Sequence, residues 1–212
     1  MKSNVVNQLI SSKFLYQKIE ILEELEDKIL SDNEKCLINK IALNELQNAS
    51  DDFYKVLLFD LLNDNSIVNE KLSSFLLTQL TEKGSTFLKL SILDYLFYLL
   101  SKPKKYKETL LIALSTKQVK LIIKNQIILH LIALEKKYDS HIELLIKNLK
   151  ATKDYRGHIR VYNTLLNNKK IFKELLESKQ TISTLMQISS KNQKGRAVQK
   201  KLKEFGSEVK AQ

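Results

Sequence analysis

Three histidines, His130, His141 and His158, one cysteine, Cys36, and scattered carboxylates are the side chains with which this chain of 212 residues could do acid–base or nucleophilic chemistry. Their spacing does not assemble a reaction. The histidines fall on three separate segments, and none has the H-E-x-x-H or paired spacing that brings two imidazoles to one metal ion. A single cysteine excludes an intrachain disulfide and a multi-cysteine zinc site. With Leu37 and Ile38 beside it, Cys36 reads as a buried structural thiol. No two of the four glycines lie within ten residues of each other, so no glycine-rich loop can cradle a phosphate. Asp60 and Asp94 could act as catalytic carboxylates, but they recur at equivalent places in a repeated pattern, which marks them as structural or solvated. These features predict a non-enzymatic protein without cofactor, metal or small-molecule substrate.

Binding chemistry is better represented. Lys117, Lys120, Lys124, Lys153, Arg156 and Arg160 fall within one stretch, with Tyr155 and Tyr162 among them. Residues 1–100 hold 10 Lys against 15 Asp and Glu, a net −5; residues 101–212 hold 25 Lys and Arg against 9 acids, a net +16. Such asymmetry bears on partners. It predicts a protein partner with an acidic surface. The alternative is nucleic acid held without base specificity, each neutralised phosphate adding salt-sensitive affinity. The acidic run from Glu20 to Asp27 reads as a solvated helix face; its sharper alternative is a docking site for a basic partner, with this chain's own C-terminal half as one candidate.

The elements that must position these groups are helices. Four glycines and one proline are too few for a β-sandwich or a dinucleotide-binding fold, whereas long Leu, Ile, Lys and Glu runs favour helix. Leu76-Leu77-x-x-Leu80 recurs as Leu110-Leu111-x-x-Leu114 and again as Leu144-Leu145 with Leu149, 34 residues apart each time; one step back lies Ala42-Leu43-x-x-Leu46. Residues 4–30 read as helical with a break near Ser11-Ser12. Asp32, Ser50, Ser66, Ser85 or Thr86, Ser115 or Thr116, and Asp139 are predicted helix starts, because their side chains can accept from first-turn N–H groups. Gly84 is a predicted stop. Phe53, Val56, Leu57 and Leu61 form the expected apolar stripe of their helix. A second signature opens the second helix of each pair: Lys18, Lys55, Lys89 and Lys120, with Arg156 a weaker fifth. The position predicts a packed stem and an ammonium resting on a carbonyl or an acid.

Helix pairs of 31–37 residues with a basic residue at the start of the second helix resemble HEAT-like repeats and the wider armadillo-type superhelix. The resemblance covers residues 4–190. It implies an all-α fold, an α-α superhelix of five to six stacked antiparallel helix hairpins, with residues 1–190 as the repeat domain and 191–212 as a basic C-terminal helix or flexible tail. The second helices would line the inner face and bring the basic residues into one stripe. The tetratricopeptide repeat shares the 34-residue period, but it needs small residues where helices touch, and bulky Leu and Ile fill those places here. The resemblance implies an interaction protein of the adaptor, assembly-factor or toxin-neutralising type. DNA glycosylases with HEAT-like folds use tryptophan at the site, and this chain has none. The N-terminal residues lack the apolar core of a signal peptide, and the most apolar stretches fall short of a bilayer span. A cytoplasmic protein with no membrane partner is expected.

Overall fold

The computed structural model describes residues 5–26, 28–69, 71–82, 84–97, 104–135, 139–151, 155–192 and part of 200–209. Among them the chain is all-helical. In order the helices are α1 (Val5–Ser11), α2 (Leu15–Leu25), α3 (Asp32–Asn48), α4 (Asp52–Asp64), α5 (Leu72–Thr81), α6 (Thr86–Phe97), α7 (Lys104–Ser115), α8 (Leu121–Leu134), α9 (Asp139–Ala151), α10 (Tyr155–Asn167), α11 (Lys173–Glu177) and α12 (Lys179–Asn192). The chain forms two compact units, Met1–Ile112 and Ala113–Gln212.

In the first unit α1 packs on α2, α3 on α4 and α5 on α6, while α2, α4 and α6 lie side by side and α1 touches α3. Short connections between packed neighbours make each pair antiparallel. Side-chain hydrogen bonds fix how the pairs stack. Asp52, the first residue of α4, accepts from the Ser85 N–H ahead of α6 at 2.8 Å, so those two helices start together. At the other end, the Leu30 N–H donates to Asn65 Oδ1 at 2.8 Å, joining the α2–α3 connection to the end of α4. Asn69 reaches back to the Asn39 carbonyl, and its own N–H donates to Tyr95 Oη.

The even-numbered helices from α2 to α10 share one register. Their fourth residues are Lys18, Lys55, Lys89, Lys124 and His158; four residues further on lie Leu22, Phe59, Leu93, Ile128 and Tyr162, all buried. The basic signature therefore falls on Lys124 in α8, one turn beyond the expected Lys120, which is the exposed N-cap of that helix. The expected contacts are met differently at each site. Lys89 is 7% exposed and donates to the carbonyls of Leu80 and Glu82 at the end of α5. Lys18 pairs with both oxygens of Glu45 at 2.8 Å, and Lys55 is half-buried.

Of the repeat leucines whose side chains are described, Leu76, Leu80, Leu110, Leu145 and Leu149 are buried, Leu114 and Leu144 half-buried, and Leu111 is 40% exposed. Leu77's side chain lies outside the described set. The buried series is thus Ala42, Leu76, Leu110, Leu145, with one residue added in the last step. In α4 the buried set is Tyr54, Leu58, Phe59, Leu61 and Leu62, and Phe53 faces solvent. Cys36 is exposed, a correction to its expected burial. Two residues correspond to about 200° of helix, so the turn that buries Ile38 points Cys36 outward.

Several helix ends differ from expectation. Ser31 precedes α3, with Glu34 reaching back to it. Asp51 rather than Ser50 caps α4, accepting from the Tyr54 N–H. Ser66 closes α4 instead of opening α5: it takes φ 52°, and the Ser66 and Ile67 N–H groups donate to the carbonyls of Asn63 and Leu62. This is the Schellman arrangement, with buried Ile67 and Leu62 as its apolar contact.

In the second unit α8 packs on α9 and α10, and α12 on α9 and α11. Nearly every residue of α8 from Ile123 to Ile132 is buried, as a helix apolar all round requires. Of the basic tail, Gly206 is described against α12; a Cβ there would meet Met186 Cε at 2.7 Å.

Candidate functional site

The basic residues of the second unit are placed by α8 and α10. These two helices start together, since an added Cβ on Gly157 would lie 3.9 Å from Ile122 Cγ1. Further along, Thr164 Oγ1 donates to Gln126 Oε1 at 2.7 Å. A turn carries Lys117 into the α8 N-cap, with the Val119 N–H on the Thr116 carbonyl. Lys117 and Lys120 are exposed there, and Arg156, the second residue of α10, is exposed at the same end. Lys124 and Arg160 lie one turn further in and are half-buried. Lys120 has no side-chain acceptor for the free N–H groups of α8, so the positive end of the helix dipole adds to the three cations.

The remaining expected site residues divide. Lys153 and the side chain of Tyr155 lie outside the described residues. Tyr162 is not a surface residue: it is 0% exposed and donates its hydroxyl to the Leu185 carbonyl at 2.9 Å. The cause is its register, for Tyr162 holds the core position of Leu22, Phe59, Leu93 and Ile128. Counting from the helix starts would have placed it there.

What this end of the unit can do is attract anions. The unit Ala113–Gln212 carries 21 Lys and Arg against 8 Asp and Glu, a net +13. His130 and His158 are buried at 1% and 0%, and His141 Nδ1 lies 3.0 Å from Glu135 Oε2. Among the described residues no three His, Cys, Asp or Glu side chains are grouped to hold a metal, and no helix is long and apolar enough to cross a membrane.

Buried polar side chains that periodicity did not reveal lie on α8 and α10: Asn125, Gln126 and His130 on the first, His158 and Thr164 on the second, with Thr164 bonded to Gln126. Both amide atoms of Asn125 have no hydrogen-bond partner among the described residues. Comparison of the chain with protein-family models, with curated proteins and with solved structures gives no match.

Proposed function

We propose that this protein is a non-enzymatic interaction protein, a HEAT-like superhelix of stacked hairpins, that binds an acidic protein through the basic end of α8 and α10. Supporting the stacked-repeat reading, the tying hydrogen bonds recur at near-repeat separations: Leu30 with Asn65, Asp52 with Ser85, Gln126 with Thr164. The observation that carries the binding reading is the meeting of Lys117, Lys120 and Arg156 at one exposed end of a unit with net +13. A preformed surface of this kind binds without first ordering itself. Nucleic acid is the weaker reading, because Tyr162, one of the two aromatics among the basic residues, belongs to the core and offers no face to a base.

The test is the triple variant Lys117→Glu, Lys120→Glu, Arg156→Glu. Exposed substitutions change stability by less than about 0.5 kcal/mol each, so its helicity and thermal midpoint should stay close to those of the parent. Binding to an acidic polypeptide such as poly-glutamate should fall by roughly tenfold or more. Equal binding by parent and variant overturns the reading. A short DNA duplex bound more tightly than the polypeptide, with affinity falling steeply in salt, would transfer the surface to nucleic acid.

A further inference from the structure

The first unit carries a different surface. The second residue of each of α2, α4 and α6 is an exposed aromatic: Tyr16 at 60%, Phe53 at 53% and Phe87 at 75%. Phe14 extends the series, 59% exposed and stacked on Tyr16 with ring centroids 5.8 Å apart. Seven residues after each of the three stands a carboxylate: Glu23, Asp60 and Asp94, the first two exposed and the third half-buried. Residues i and i+7 share a helix face.

The three helices lie side by side with their starts aligned. Asp52 holds the Ser85 N–H, while Lys18 and the Tyr54 hydroxyl meet on Glu45. Packed helices stand about 8–10 Å apart, and seven residues rise about 10.5 Å. A row of aromatic rings and a row of carboxylates therefore cross the unit in parallel. Neither row continues in the second unit, where the corresponding residues are Ile122 with Leu129 and Arg156 with Asn163.

Charge and area select the occupant. The helices α2, α4 and α6 carry seven carboxylates against three lysines, and of these lysines Lys18 is engaged by Glu45 and Lys89 by two carbonyls. Between α2 and α4 a notch floored by Leu22, Leu57 and Leu61 is flanked by Glu26, Asp60 and Asp64. The face is thus negative, and it repels a phosphate backbone. The four rings present on the order of 500 Å² of aromatic surface to water. That equals the largest patch of an ordinary monomer and falls short of the roughly 800 Å² per partner of a standard stable interface. A linear segment fits it better than a second copy.

We propose that this face docks a basic, apolar linear segment of a partner protein. Its apolar side chains and guanidinium planes lie on the aromatic row, where cation–π attraction adds to burial. Its Lys and Arg heads pair with the carboxylate row. An extended chain advances about 3.3 Å per residue, so every third residue meets the next helix, and about nine residues span the three.

The experiment uses the full chain and fluorescein-labelled peptides of about nine residues, read by anisotropy at moderate salt. One peptide carries Arg and Leu at alternating places with Ser between them; a second has Glu for Arg, and a third Gly for Leu. The Arg–Leu peptide should bind at least about tenfold more tightly than either control, a difference of about 1.4 kcal/mol. Phe53→Ser with Phe87→Ser should erase that preference with an unchanged circular dichroism spectrum. Glu23→Lys, an exposed change that leaves the rings in place, should weaken the Arg–Leu peptide alone. The variant Lys117→Glu, Lys120→Glu, Arg156→Glu should bind it as the parent does. Equal binding of the three peptides, or full binding by both the double serine variant and Glu23→Lys, overturns the proposal. A dimer in sedimentation that the double serine variant abolishes would also overturn it, by assigning the face to a second copy.

Discussion

At Asn125 the helix α8 buries an amide that has no partner among the described residues and 1% exposure. An unsatisfied buried polar group costs about 1–3 kcal/mol, whereas an apolar side chain of similar size at such a place is neutral or favourable. Asn125→Leu should therefore raise the urea midpoint or leave it unchanged; a loss beyond about 1 kcal/mol would show that the amide has a role in the fold. Glu34 presents the opposite case. It accepts from the Ser31 hydroxyl at 2.6 Å and from the Ser31 N–H at 2.8 Å. These bonds, the hydroxyl's first, hold its carboxyl below the usual 4.5. The folded value lies under the unfolded one, so the contribution is complete above about 4.5 and disappears as pH falls through the folded value. The stability gap between the parent and Glu34→Gln, steady near neutral pH, should close in acid. A gap that stays constant down to pH about 3 would contradict this.

Helix α4 shows what terminates an element and what that termination holds. Asn65 Nδ2 donates to the Leu61 carbonyl at 3.2 Å, and its Oδ1 receives the Leu30 N–H. Asn65→Ala leaves that N–H without its acceptor inside the protein. It should cost about 1–3 kcal/mol, measured by chemical unfolding. The next residue, Ser66, occupies the left-handed region at φ 52°, which glycine adopts without steric cost. Ser66→Gly should be neutral to stabilising by at most about 1 kcal/mol; clear destabilisation would mean the serine side chain does something the backbone does not. The end of α5 is served from outside, since Lys89 brings its ammonium to the carbonyls of Leu80 and Glu82. Burial lowers the Lys89 pKa, with Glu82 pulling the other way.

For the whole molecule, charge is the quantity that distinguishes the two units. Met1–Ile112 holds 14 Lys and Arg against 16 acids, while Ala113–Gln212 holds 21 against 8. Like charges crowded on one folded unit oppose its compact state. Raising sodium chloride from about 0.05 to 0.5 M shortens the screening length severalfold. The thermal midpoint should rise by about 2–4 °C, and by less in Lys117→Glu, Lys120→Glu, Arg156→Glu. A midpoint that falls with salt would mean that ion pairs such as Lys18–Glu45 outweigh the repulsion.

The sequence by itself determined the helical class and the place of most elements. Helix formation is local, resting on i to i+4 hydrogen bonds, so the leucine period, the break after Ser11 and the start at Asp139 could be read directly. Tertiary structure decided the rotation of each helix about its axis. In α6 and α8 apolar residues surround the helix, leaving no stripe to define an inward side. A basic signature placed on Lys120 instead of Lys124 in α8, and in α10 on Arg156 where the shared register has His158, puts Tyr162 on the surface. Cys36 and Phe53 were misplaced for the same reason, because an apolar side chain one or two residues off the seam points elsewhere. The aromatic row of Tyr16, Phe53 and Phe87 was equally hidden: nothing local distinguishes an exposed ring from a core one. The helix starts and the packed neighbours set those directions, and both depend on contacts about 30–38 residues away.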